Sequence, residues 1–308
     1  MSTQIQDFSD IQQHASQLYK GQPLQLVVTP VKNQEILHAL EDAETSGWVE
    51  VTQVGEPSRN KLPNLPALEE AVSSLATGKG EVLLSHTLDP KPLLATLLRK
   101  DLGLRKETEV WSHVAVFEWQ DPPRWLLVSD GVLVTRPDLA RRIDVIKNAI
   151  KVAGRLGVKN PNVALLAASR AIQQDVQTSR EWTWVSKMAE RRVFHSARVC
   201  GPIGLEEAIQ PASPNERFPL PLGQVNCTGH NWADVLITAD ISVGNPLVSA
   251  MTLLCGLPCA GLVVGGDVPV VFPWPTVDRN AVLTSLALAA LSSPRGLRRI
   301  LGKWSDVR

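Results

Sequence analysis

The chain reads as an α/β protein, with two α/β domains of mostly parallel sheet around a central cleft. Two observations carry that reading. Apolar runs of strand length alternate with helical repeats along the 308 residues, the pattern of a parallel sheet with helices on both faces. The stretch Ala233–Val271, around which the rest is organised, strings together strand, loop, helix, turn, strand, Gly-Gly and strand with few polar interruptions.

In chain order, residues 1–20 form an amphipathic helix with Ser9 as a cap before Ile11 and Leu18. Leu24–Thr29 is a strand, followed by a helix from Asn33 whose apolar face is Ile36, Leu37 and Leu40. Gly47 stops that helix, and Trp48–Thr52 starts the second strand. Pro57–Pro66 is loop, with Asn64 and Pro66 opening a helix through Leu68, Val72 and Leu75. Glu81–Ser85 is a strand and Pro92–Leu98 a helix. Trp111–Glu118 and Arg124–Val128 are two strands joined by a turn at Gln120–Pro123, because Asp-Pro-Pro punctuates strands.

A second unit begins near Pro137. Ile143, Ile146, Ile150 and Ala153 repeat at helical spacing, and Gly157 stops the helix. Val163–Ala167 is a strand and Glu181–Arg192 a helix; Val199–Pro202 is a strand end turning into the helix Leu205–Ile209. Gln210–Leu222, rich in Pro and Asn, is a loop, the candidate mobile or cleft-rim segment. Then comes the organising stretch: strand Val235–Ile237, Asp240 where it enters a loop closed by Gly244, Asn245 as N-cap and Pro246 as first helical residue. That helix runs through Leu247, Met251 and Leu254 to Gly256; the strand Leu262–Val264 then ends at Gly265-Gly266. Ala281–Leu291 is the last long helix, before a tail carrying Arg295, Arg298, Arg299 and Lys303 as a solvated basic face. Ligands of open α/β sheets lie at the carboxyl ends of strands, where helix N-termini attract anions. The organising stretch is therefore half of an anion site.

Composition narrows the function classes. Lys+Arg and Asp+Glu balance at 31 each, so no global field recruits nucleic acid or an anionic membrane. The polar N-terminus lacks the basic and apolar regions of a signal peptide, and no apolar run reaches the ~18 residues of a membrane span, so a cytoplasmic location is expected. Cys200, Cys227, Cys255 and Cys259 lack zinc-ribbon spacing, also when His230 is added, and read as buried thiols rather than metal ligands. Cys200 in Cys-Gly-Pro has no nearby base in sequence, so a nucleophilic role is disfavoured. There is no Gly-x-Gly-x-x-Gly opening a first helix, no Walker A loop and no Gly-x-Ser-x-Gly elbow.

From about Leu83 to Leu291 a series of short signatures falls in a distinctive order. They are Ser112–Glu118, Asp130-Gly131, Pro137-Asp138-Leu139, Pro161–Leu165, Lys187-Met188-Ala189, Gly201-Pro202 with Leu205 and Ala208, Ala233–Leu236, Asp240-Ile241, Gly244-Asn245, Val263-Val264-Gly265 and Ser285–Ala289. In this order the chain resembles the phosphate acetyltransferase and phosphate butyryltransferase family, the butyryl branch most closely. The resemblance implies an isocitrate/isopropylmalate dehydrogenase-like fold. Its first domain, here residues 1–136 plus 273–308, is built from both chain ends, and residues 137–272 form the second. It also implies acyl transfer between coenzyme A and inorganic phosphate, with coenzyme A as substrate, no metal or tightly bound cofactor, and a homodimer.

The resemblance directs attention to Asp240 and Asp130 as catalytic carboxylates. Gly201, Pro202, Gly244, Asn245, Gly265, Gly266, Arg136 and Arg279 are the candidate binding set, with Lys91 as a further cation. For the glycines and Asn245, turn geometry and helix capping are the plain alternative. His113, in an apolar strand, reads as a core histidine rather than a base. The chain departs from its relatives after Val271: Trp274-Pro275 stand where the family has Ser-Arg, Ser85–Pro90 replaces a Lys-Gly segment, and Asp267 follows Gly266 where a Lys is common. Three readings follow. Other cations hold the phosphate; or the scaffold persists as a coenzyme A or acyl-phosphate binding or regulatory protein; or another acid or phosphorylated substrate uses the same cleft.

Overall fold

The structure is a computed structural model that describes residues 5–55, 65–86, 90–104, 110–121, 123–172, 175–209 and 232–305. The expected loops 57–64 and 210–222, and Cys227 with His230, lie outside them. The chain divides into two compact units, Met1–His113 with Thr252–Arg308, and Val114–Met251.

Helix α1 (Phe8–Leu18) is capped by Asp7, whose carboxylate accepts from the Asp10 amide, not by Ser9. Asp is the stronger acceptor for an early amide, and Phe8 is already inside the buried stripe with Ile11, Ala15 and Leu18. Strand β1 (Leu24–Val28) leads to α2 (Gln34–Thr45), whose N-cap is Asn33. Leu37 falls off the buried face of α2 and is exposed. Strand β2 (Val49–Gln53), α3 (Leu65–Ala76), β3 (Val82–Leu84) and α4 (Lys91–Leu97) follow.

The expected hairpin is β4 (Ser112–Gln120) against β5 (Pro123–Ser129), in register from Ala115 with Val128 to Gln120 with Pro123. Helix α5 (Leu139–Arg155), capped by Asp138, precedes β6 (Asn162–Leu166), α6 (Gln177–Glu190), β7 (Arg198–Ile203) and α7 (Leu205–Ile209). Gly201 and Pro202 thus lie inside a strand rather than in the turn after it. Strand β8 (Val235–Ile237) is followed by α8 (Ile241–Ser249) and a π-helical turn, Ala250–Leu254. Then come β9 (Cys259–Val264), β10 (Val270–Val271), α9 (Arg279–Ser292) and α10 (Pro294–Ser305).

In the first unit the strand order is β2-β1-β3-β10-β9, parallel except for the antiparallel β10–β9 pair. Helix α9 is apolar around its whole circumference, and Ala281, Val282 and Thr284–Leu291 are all buried, as such a helix must be. The Ser285 hydroxyl accepts from the Gly261 amide of β9 and donates to the Ala281 carbonyl, so the helix polar groups are satisfied where they meet the sheet. The basic tail is only in part a solvated face: Arg298 is exposed, but Arg295 and Arg299 of α10 flank the Tyr19 ring at 4.8 and 5.1 Å.

In the second unit the order is β4-β5-β8-β6-β7, with β5, β8, β6 and β7 mutually parallel. Their carboxyl ends, Ser129, Ile237, Leu166 and Ile203, therefore lie along one edge. At the other edge Arg124 sits between the indoles of Trp119 and Trp232, at 5.3 and 5.1 Å, and burial pulls its pKa down to about 10.

Candidate active site

The second unit gathers four of the candidate residues at the carboxyl ends of β5 and β8. Beyond β5, buried Asp130 turns its Oδ1 back onto the amides of Val132 and Leu133, at 2.6 and 2.8 Å, and so fixes the loop after the strand. Beyond β8, Thr238 donates its hydroxyl to the Asp130 carbonyl at 3.0 Å. Asp240, extended in backbone, is the N-cap of α8; its Oδ1 accepts from the Ser242 amide at 2.7 Å.

This corrects the assignment of Asn245 as cap and Pro246 as first helical residue. Asp240 offers the same acceptor one turn earlier, and the helix starts there, leaving Pro246 inside it. Asn245 is freed for another contact: its amide donates to the Gly131 carbonyl at 3.1 Å. Gly244 is glycine because nothing larger fits. A Cβ there would lie 2.1 Å from the Asp130 carbonyl oxygen and 2.7 Å from the Thr238 hydroxyl. The first turn of α8 is thus stitched to the Asp130-Gly131 loop by a hydrogen bond and a backbone contact that only glycine permits.

Gly201, in β7, also permits a close approach: a Cβ there would meet Leu165 at 2.4 Å, and the Gly201 carbonyl accepts from Ser186 at 2.5 Å. Burial pushes the Cys200 thiol up to about 11, so it is not a thiolate at neutral pH, in line with the expectation that it is no nucleophile. Cys259 is buried as expected, but Cys255 is exposed because it follows the π-helical turn instead of ending a buried helix. Among the described residues no group of His, Cys, Asp and Glu could hold a metal ion. Nor is any helix of the described residues long and apolar enough to cross a membrane.

The other candidates divide by unit. Arg136 follows the Asp130-Gly131 loop in the second unit, with its side chain exposed. In the first unit, Arg279 opens α9 and forms a two-pronged ion pair with Asp42 of α2, while its amide bonds Glu35. The structure therefore spends Arg279 on a surface pair that the sequence could not anticipate, because its partner lies 237 residues away. Lys91 opens α4 and is exposed. Gly265, at φ 129°, and Gly266 pack on Val110 and Trp111: added Cβ atoms would sit 2.2 Å from the Val110 carbonyl oxygen and 2.1 Å from the indole. Trp274 turns toward the edge of the His113 ring, with centroids 5.9 Å apart and planes at 85°. His113 is wholly buried, and desolvation drops its pKa to about 3, so it is the neutral core histidine its strand suggests.

One buried group escaped the sequence reading. Arg142 of α5 pairs through Nε with Glu181 of α6 at 2.6 Å, lies 4.8 Å over the Trp182 ring, and donates through Nη1 to the carbonyl of Ala239. Its sequence signal was one of two adjacent arginines, Arg141 and Arg142, the second lying i, i+4 before Ile146, ambiguous until its partners were in place.

Comparison with known proteins bears on what this edge does. The family described as phosphate acetyl/butaryl transferase matches residues 92–290, well over half of the chain. The phosphate butyryltransferase of Clostridium acetobutylicum is 27% identical over 286 residues, 86% of this chain and 92% of that one. The phosphate acetyltransferase of Rhizobium meliloti is 30% identical over 241 residues, 77% of this chain and 74% of the relative. Among solved structures, a branched-chain phosphotransacylase from Enterococcus faecalis matches at TM-score 0.68 and 24% identity, over 86% of this chain and 98% of that one. A phosphotransacetylase from Streptococcus pyogenes matches at TM-score 0.69 and 12% identity, over 93% and 98%. At those identities the structures speak for the fold alone, which agrees with the α/β architecture read from the sequence. The family match spans the loop after β5, the cap of α8 and the glycine between them, and on it the chain belongs to the phosphate acetyl/butyryltransferase family.

Proposed function

We propose that the protein is a phosphate acyltransferase that moves a short-chain acyl group between coenzyme A and inorganic phosphate, acyl-CoA + phosphate = acyl phosphate + CoA. The observation that carries this reading is the joint of Asp240, Gly244 and Asn245 with the Asp130-Gly131 loop at the carboxyl ends of β5 and β8, in a chain of that family. The acetyl and butyryl names of the relatives support a short acyl chain. Coenzyme A enters as substrate.

Written toward acyl-CoA, the thiol gives its proton to a base and the thiolate attacks the carbonyl carbon of the acyl phosphate. The C–S bond forms, the oxyanion collapses, and the C–O bond to phosphate breaks with its electron pair leaving on phosphate. Asp240, half-exposed at the start of α8, is the carboxylate we assign to the proton. Asp130 is the second carboxylate of the site; its bonds to two amides hold the loop in shape. Backbone at Gly201, Pro202, Gly244 and Asn245 is the remaining binding set of the second unit. Arg136 is the favoured phosphate ligand, since Arg279 would first have to leave Asp42. We also propose a homodimer; Leu253 and Leu254, 63% and 84% exposed on the π-helical turn, support an apolar contact surface.

The test is a thiol-release assay with acetyl-, propionyl- and butyryl-CoA, with and without phosphate. Phosphate-dependent release of coenzyme A is expected, and Asp240→Asn should lower kcat by about 10²–10⁴-fold. Because Asn caps a helix as well as Asp does, the melting temperature of that variant should barely move. Silence with all three substrates beside retained coenzyme A binding would leave a binding protein on the same scaffold; a purely monomeric sedimentation profile would remove the dimer.

A further inference from the structure

Among the described residues of the second unit, Arg142 is the buried cation whose guanidinium reaches the segment that carries Asp240. Each of its neighbours is accounted for. Glu181 gives Oε2 to Arg142 and accepts from Gln177 on Oε1 at 2.7 Å. Trp182, beneath the guanidinium, donates its indole N–H to the Leu166 carbonyl at 2.9 Å. The remaining arm of the fork holds the Ala239 carbonyl, one peptide before Asp240. Arg142 and Glu181 are each about 6% exposed, so the pair is not a surface accident. Together Asp130, Arg142, Trp182, Thr238 and Asp240 help line a cavity of about 10 Å³, which is room for a single water.

We propose that Arg142 is a positioning residue for the acyl-transfer site. Anchored on Glu181 and Trp182, it fixes the Ala239 carbonyl and thereby sets where the Asp240 carboxylate stands at the head of α8. A planar fork does this and an ammonium does not: the carboxylate and the carbonyl are taken by different nitrogens of one rigid group. The inference rests on the acyltransferase reading and adds a residue to it that touches no substrate.

The experiment compares wild type, Arg142→Lys and the double variant Arg142→Met/Glu181→Leu by kcat, by KM for acyl-CoA and phosphate, by melting temperature and by amide hydrogen exchange at Ser242. The double variant removes both charges together, so it leaves no buried charge unpaired. A carboxylate displaced by about 1 Å costs up to 10²-fold in rate, so kcat should fall by about 10- to 100-fold in both variants while each KM stays within about threefold. Exchange at Ser242, whose amide bonds Asp240, should quicken. If Arg142→Lys keeps kcat within about twofold of wild type and Ser242 stays protected, the inference is overturned, whatever the double variant does. A wild type without phosphate-dependent turnover would instead retire the proposed reaction, and exchange at Ser242 would still decide whether Arg142 holds the turn.

Discussion

His113 shows how one side chain ties folding to pH. Its imidazole is wholly enclosed, and desolvation holds its pKa at about 3, against 6.5 when unfolded. The unfolded chain therefore binds a proton that the folded chain refuses as pH falls below 6.5, so stability is lost from there down to about pH 3. The slope is up to about 1.4 kcal/mol per pH unit from this one residue. His113→Phe should flatten the pH dependence of the urea midpoint between pH 6.5 and 4; an unchanged slope would assign the acid sensitivity elsewhere. The same residue explains part of an odd composition, nine Trp beside a single Tyr. Trp274 meets His113, Trp111 lies under Gly266, Trp182 carries Arg142, and Trp119 and Trp232 enclose Arg124. Each indole covers a polar or backbone group that aliphatic side chains would cover less completely.

Helix α8 and its approaches are where pattern reading and structure part company. Strand β8 and the existence of a helix were legible from periodicity, but Gly244, expected to close the loop between them, lies inside the helix. The start of the helix was not, since Asp240 and Asn245 are both good caps and the choice depends on what else each can bond. Its end was not legible either: the backbone widens into a π-helical turn at Ala250–Leu254, leaving Leu254 exposed instead of buried. The boundary between the two compact units falls inside that turn. Because Gly244 packs directly on the Asp130 carbonyl, Gly244→Ala must push α8 away from the loop. We expect a loss of roughly 1–3 kcal/mol in stability, as in other overpacked contacts, and a fall in kcat without a matching rise in KM for phosphate. A variant that is both stable and fully active would show the contact to be slack.

For the chain as a whole, the first unit is assembled from both termini, and the last helix helps to close it. Tyr19 is fully buried, its hydroxyl bonded to Ser293 at 2.7 Å, with Arg295 and Arg299 of α10 flanking its ring. Burial raises the pKa of the phenol, so the folded state keeps it neutral, and its contribution is lost only as pH rises through the folded value. Arg295 also pairs with Glu81, and Arg299 donates to the Leu18 carbonyl at 2.6 Å. Replacing both arginines by Ala should cost roughly 1–3 kcal/mol of stability. An unchanged denaturation midpoint would return the tail to the status of a solvated basic helix.

What the residues declared by themselves was the alternation of strands and helices, the helix from Asn33, the hairpin at β4–β5 and the identity of the family. All rest on local signals: period, capping chemistry, turn residues, and the order of short signatures. What waited for the fold was every assignment that depends on a partner far along the chain. Arg279 is committed to Asp42, Arg142 to Glu181 and the Ala239 carbonyl, Trp274 to His113, and Gly265 to the Val110 backbone. A charge, an indole or a glycine carries no mark of its partner in the sequence. Burial and hydrogen-bond satisfaction assign that partner only once the chain has closed on itself, which is why the helix that heads the site could be read from the sequence and the group that aims it could not.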